Sequence, residues 1–162
     1  MAHSKENCKE WISCIPDKMN KFTQEFAGNN HLLLDYTMAS LNDLERWILS
    51  HYQDADELLD DSSMLDYLTI YIGETFRGYL DGEWSIDLRD NENAPYPVLL
   101  LMDTANRGET QVSPMALVTE CISRNKGNYI NGILFNYVAS EIKTIDKLVE
   151  FMERECYSFD SF

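Results

Sequence analysis

Apolar residues recur every three to four positions over most of this chain, a spacing that gathers them on one face of a helix. The first such stretch spans residues 5–27 and is interrupted at Pro16, which has no backbone N–H and biases Ile15 away from helix. It predicts two short helices, one carrying Trp11 and Ile15, the other Met19, Phe22 and Phe26. Ala27-Gly28-Asn29-Asn30 reads as a break, and His31-Leu32-Leu33-Leu34 as an apolar entry into the next element. Thr37 or Ser40 suits a helix start, where a hydroxyl accepts from free backbone N–H groups. Leu41, Leu44 and Ile48, flanked by Trp47 and His51, then make a stripe ending near Tyr52. A longer helix, capped by Ser62 or Ser63 and running through Leu80, carries Leu65, Leu68, Ile72, Phe76 and Tyr79. It is the expected centre of the core. Gly82, just beyond it, suits a left-handed helix cap.

The period then changes to alternation. Trp84, Ile86 and Leu88 interleave with Ser85, Asp87 and Arg89, as in a strand with one buried face. A polar, proline-bearing loop follows over residues 91–97. Val98 to Met102 is apolar on both faces, the mark of a central strand. Asn106-Arg107-Gly108 turns the chain into a third strand, Glu109 to Val112, and connections this short imply antiparallel pairing. Ser113-Pro114 sets a capping hydroxyl before proline at a first helical position. Leu117, Val118, Cys121 and Ile122 form the stripe of that helix; Ile130, Ile133, Leu134, Tyr137 and Val138 form the next. Thr144 suits the cap of a last helix with Ile145, Leu148, Val149 and Met152. Residues 157–162 read as a short aromatic, acidic tail, expected to be mobile. Together these elements predict one α+β domain over residues 1–162. It has a helical extension over residues 1–30, a three-stranded antiparallel meander, and C-terminal helices packed on the sheet.

Composition narrows the function classes. At 162 residues, 44% hydrophobic and 25% charged, the chain is too apolar for a disordered acidic segment and long enough to bury a core. No apolar run approaches the roughly 18 residues that cross a bilayer, and Met1 to Asn7 lacks a basic, apolar leader. The expectation is a cytoplasmic protein with reduced thiols and no membrane partner. Cys8, Cys14, Cys121 and Cys156 form no C-x-x-C pair, and His3, His31 and His51 no H-x-x-x-H pattern. Neither metal nor cofactor is expected.

The chain holds 13 Lys and Arg against 28 Asp and Glu, a net charge of −15 that argues against nucleic acid as a partner. The charge is uneven, since residues 35–66 alone carry −8. Asp54, Asp56, Glu57, Asp60 and Asp61 lie in a stretch, ending at Asp66, that contains no Lys or Arg. One reading is a solvated face that keeps the protein soluble. The sharper reading makes these five a docking surface, where a concentrated negative field steers a basic protein partner.

Phosphate-binding glycine loops, H-E-x-x-H and G-x-S-x-G are all missing, so no residue is assigned as catalytic. The alternative to a binding module is an enzyme or small-ligand sensor with a pocket near Glu74, Arg77 and Trp84. The plainer reading of that trio is structural. Glu74 and Arg77 are spaced to pair on one helix face. Gly73 predicts close approach of another backbone, and Trp84 sits on the buried side of a strand.

Those residues also carry a family likeness. Tyr71-Ile72-Gly73-Glu74, then Arg77, then Asp81-Gly82-Glu83-Trp84, resembles a pattern in small uncharacterised bacterial proteins. There a tyrosine–aliphatic–Gly–Glu helix with a following Arg runs through a glycine turn into a tryptophan-bearing strand. Leu34-Asp35-Tyr36-Thr37, Ser40-Leu41 and Leu44 resemble the segment before that helix; Tyr96-Pro97-Val98 and Ser113-Pro114-Met115 resemble its second strand and next helix start. The likeness covers residues 32–140. This chain departs from the pattern in having Asp81-Gly82 where paired glycines are common, and in its acidic insert. Such families resemble cytosolic immunity proteins encoded beside secreted toxins. The resemblance implies a non-catalytic protein that occludes a cognate toxin; an acidic surface would suit a basic, nuclease-like one.

Overall fold

A computed structural model describes residues 5–86, 97–103, 108–142 and 144–155. The chain begins with α1 (Lys5–Ser13) and α2 (Ile15–Lys21), continued by a π-helical turn (Phe22–Phe26) and a last turn, α3 (Ala27–Asn29). Then come α4 (Met38–His51), α5 (Ala55–Asp60) and the longest helix, α6 (Ser62–Tyr79). Three strands follow: β1 (Gly82–Ile86), β2 (Pro97–Asp103) and β3 (Gly108–Val112). The chain returns to helix in α7 (Pro114–Arg124), α8 (Tyr129–Glu141) and α9 (Ile145–Arg154). The fold is α+β, with helices on either side of a small sheet in sequence.

Pro16 lies in the first turn of α2, where its missing N–H has no intrahelical partner to lose. The chain therefore breaks only at Cys14, and Ile15 is helical, contrary to the expectation from its neighbour. Helix also persists through Ala27 and Gly28, and the break comes at Asn30 and His31, the latter with φ 55°. Packing explains the persistence. Met19, Phe22 and Ala27 are buried, and Phe22 stacks on Phe26 at 4.6 Å and on Tyr67 of α6 at 5.4 Å. With Trp11 and Ile15 these residues belong to the same core as the rest of the chain.

Hydroxyl caps form at the expected places on three helices. Thr37 accepts from the Ser40 N–H at 3.2 Å, Ser113 from Ala116 at 3.2 Å and Thr144 from Lys147 at 3.4 Å. For α6 the cap is Asp61, one residue before the expected serines, accepting from Met64 N–H at 3.2 Å. Gly82 is not a helix cap. The helix ends on Leu80 in extended conformation, and Gly82 opens β1 directly opposite Leu101. A Cβ there would lie 2.7 Å from Leu101 Cδ2, so a larger residue would have to displace the end of that side chain.

The strands lie in the order β1-β2-β3, both pairs antiparallel, with the apolar strand central. The register forms the rows Trp84–Leu99–Val112 and Gly82–Leu101–Thr110 on one face. Leu99, Leu101 and Val112 on that face are buried in the core shared with Leu68, Phe76 and Val118. Leu88, the 91–96 loop, the Asn106-Arg107 turn, His3, Cys156 and the 157–162 tail lie outside the described residues.

Candidate functional site

The acidic stretch folds into a helix of its own, α5, which buries Leu58 alone and so carries no periodic apolar signal. Asp54 accepts from the Glu57 N–H at 3.0 Å, and Glu57 reaches back to the Gln53 N–H at 2.8 Å. This reciprocal arrangement satisfies free donors at both levels of the helix start, as in a capping box. Asp61 closes the stretch by capping α6 and accepting from the Tyr52 hydroxyl at 2.9 Å, which with burial pushes that phenol upward. Leu58 faces inward and is fully buried; Leu59 beside it is 44% exposed.

All five predicted partner-binding residues are therefore together on one exposed segment, but their jobs differ. Asp54, Glu57 and Asp61 hold backbone N–H groups. Among the described residues, Asp56 and Asp60 have no hydrogen-bond or ion-pair partner and no cation pairs with any of the five. Asp66, at the end of the stretch, has left the surface group altogether. It accepts from Trp11 Nε1 at 2.7 Å and pairs with Lys18, tying α1 and α2 to α6.

Glu74, Arg77 and Trp84 also meet. Glu74 Oε1 accepts from Arg77 at 2.8 Å and from Trp84 Nε1 at 2.7 Å, while Arg77 Nε donates to the Gly82 carbonyl at 3.1 Å. Two of these three contacts join the end of α6 to the start of β1, and the third pairs Glu74 with Arg77 within α6. Gly73 is the reason the ring fits: a Cβ there would stand 2.1 Å from Trp84 Cη2. The close approach is thus by an indole, not by a second backbone. Trp11 meets the same ring edge-to-face at 4.9 Å. The trio is a junction between helix and strand.

A cleft lies beside that junction, over the next row on the same face of the sheet. It has a volume of about 370 Å³ and opens between the end of α6, the Leu101–Thr110 row of the sheet and the end of α8. Tyr79 and Tyr137 line it, and Glu74, Arg77 and Trp84 do not. The Tyr79 hydroxyl accepts from Met38 N–H at 3.0 Å and donates to Glu155 Oε2 at 2.9 Å, and burial pushes its pKa up to about 12.

Two further polar residues organise the interior. Glu45 is fully buried and accepts from the Tyr129 N–H at 3.0 Å and the Ile130 N–H at 2.9 Å, capping α8 from α4. Burial raises its carboxyl above the ordinary range, more than those N–H groups lower it. Its position was legible, for Glu45 lies four residues after Leu41 and three before Ile48, on the buried stripe. Tyr71 is the second. Its hydroxyl bonds Ser40 Oγ at 2.7 Å and accepts from the N–H of Tyr36, a residue held at φ 61° and stacked on the Tyr71 ring at 4.9 Å.

No family model, no curated protein and no solved structure matches this chain. Among the described residues, no group of three or more His, Cys, Asp and Glu is placed to hold a metal ion. No helix among them is long and apolar enough to cross a membrane.

Proposed function

We propose that this chain is a non-catalytic binding protein that docks a basic protein partner on the α5 surface. The observation that carries the reading is the exposed Leu59 between the carboxylates of Asp56 and Asp60, which have no partner among the described residues. Interfaces concentrate affinity in a few apolar anchors and use charge at the rim for steering and selection. Leu59 supplies such an anchor, and the surrounding negative field selects a partner of opposite sign. The likeness of Tyr71–Trp84 and its flanks to immunity-type proteins extends the reading: the partner is a toxin domain, basic and nuclease-like, occluded in the cytoplasm.

The test separates docking from capping. Asp56→Lys with Asp60→Lys reverses the free carboxylates and leaves the caps Asp54, Glu57 and Asp61 in place. Bait carrying this pair, or Leu59→Ser, is compared with wild type for retention of a basic protein from the native organism at fixed ionic strength. Retention by wild type and its loss in both variants, with melting temperature unchanged, is the expected result. A basic partner held equally by all three baits would move the interface elsewhere, and a partner that is not basic would overturn the reading.

A further inference from the structure

Another concavity is formed by His31 and Leu32, just after α3, and by Asp43, Arg46, Trp47 and Ser50 of α4. The four α4 residues follow one another at offsets of three, four and seven, which puts them on one helix face. The groove holds about 390 Å³, within the range of small-molecule sites, about 300–1,000 Å³, and is open to solvent. It shares no residue with the α5 surface. Asn30 fixes its wall: Nδ2 donates to the Phe26 carbonyl at 2.9 Å, and Oδ1 accepts from Trp47 Nε1 at 3.2 Å. The chain then turns at His31, with φ 55°. Trp47 is held further by Phe26, edge-to-face at 4.9 Å, and by His51, stacked at 4.1 Å. An indole fixed in this way offers a rigid hydrocarbon surface with its N–H already spent, and ordering it costs little on binding.

The polar lining carries both signs, and they are already matched. Arg46 donates to Asp43 at 3.0 Å, with the two side chains 66% and 47% exposed. A charged ligand of either sign would have to compete with a partner in place. A hydroxyl would not, because it both donates and accepts. Neighbouring hydroxyls can therefore use the remaining N–H groups of Arg46 and the second oxygen of Asp43 together, leaving the ion pair intact. The His31 imidazole, which has no hydrogen-bond partner among the described residues, adds another polar group. Trp47 and Leu32 supply the apolar part of the lining, where C–H groups gain by leaving water.

We propose that this groove binds a neutral sugar, a pyranose ring whose C–H face covers Trp47 and Leu32 and whose hydroxyls meet the Arg46–Asp43 pair. An apolar ring of the same size would use the hydrocarbon alone, and a polyol without an apolar face would use the pair alone.

The test follows the indole N–H signals of the three tryptophans by NMR in the full chain. The probes are the methyl β-pyranosides of glucose, galactose, mannose and N-acetylglucosamine. So open a site should bind with a Kd of about 1–10 mM, so each is titrated to about 50 mM. The Trp47 signal should shift saturably with at least one of them, while Trp11 and Trp84, which do not line the groove, stay in place. 2-Methoxytetrahydropyran, the same ring without its hydroxyls, should bind about tenfold more weakly or not at all. Asp43→Ala with Arg46→Ala removes the polar pair from an exposed helix face and should weaken the pyranoside about tenfold at near wild-type melting temperature. Ser50→Trp fills the groove without touching that pair and should abolish binding, an independent check if the first variant melts early. No saturable shift with any of the four, equal binding of the hydroxyl-free ring, or unchanged affinity in the folded variants would overturn the proposal.

Discussion

Two glycines in helices show how a single hydrogen or methyl is judged by its neighbours. Gly73 in α6 has the Trp84 indole where a Cβ would go, and that ring is anchored by Glu74 and Trp11. Gly132 in α8 has nothing within 4 Å of the same point. Gly73→Ala should therefore destabilise by about 1–3 kcal/mol, as overpacking does. Gly132→Ala should stabilise by up to about 1 kcal/mol, the helix-propensity difference alone. Denaturant unfolding of the two variants measures both, and equal effects would show that the indole yields. Glu45 carries a second prediction at this scale. Its raised pKa means that the folded protein holds that proton more tightly than the unfolded chain does. Its contribution to stability is then complete below the ordinary glutamate range and is lost as pH rises through the raised value. Wild type should lose unfolding free energy relative to Glu45→Gln across that interval, and a difference independent of pH would contradict the raised value.

Among the elements, α5 and the start of α6 depend on carboxylates for their beginnings. The acidic stretch reads along the chain as one block of charge, yet of its six members Asp54, Glu57 and Asp61 act on backbone N–H groups, Asp66 on Trp11 and Lys18, and Asp56 and Asp60 on neither. Asp61→Ala removes the α6 cap and the acceptor of Tyr52, and should cost about 1 kcal/mol. Asp60→Ala removes an equal charge with no bond and should stay within about 0.5 kcal/mol of wild type. Thermal melts of the pair distinguish the roles, and equal shifts would mean that charge, not capping, governs the segment. Asp61 caps the helix while its other carboxylate oxygen accepts from Tyr52. That contact, nine residues back, gives no periodic signal.

For the whole molecule, the net charge of −15 acts on stability and on binding in opposite directions. Self-repulsion within the folded chain is screened as salt rises, since the screening length falls from about 30 Å at 0.01 M to about 8 Å at 0.15 M. The melting temperature should rise over that interval while affinity for a basic partner falls. A melting temperature that dropped with salt would mean that attractive pairs such as Lys18–Asp66 dominate the repulsion.

Much of the architecture was readable along the chain, because it rests on residues a few positions apart. The stripes of α4, α6, α7 and α8, the switch to alternation at Trp84, the two-sided apolar β2 and the caps Thr37, Ser113 and Thr144 are all local patterns. So are the five exposed carboxylates around α5. Other features depend on which distant residues meet. Glu45 caps α8 across 84 residues, Trp11 reaches Asp66 across 55, and Tyr79 joins Glu155 across 76. The cleft lined by Tyr79 and Tyr137 exists because α6 and α8 end beside the same row of the sheet. Hydrophobic spacing dictates which faces turn inward, whereas the pairing of those faces is chosen by packing the entire chain at once. That choice made a structural junction of Glu74, Arg77 and Trp84, and left Leu59, Asp56 and Asp60 facing solvent.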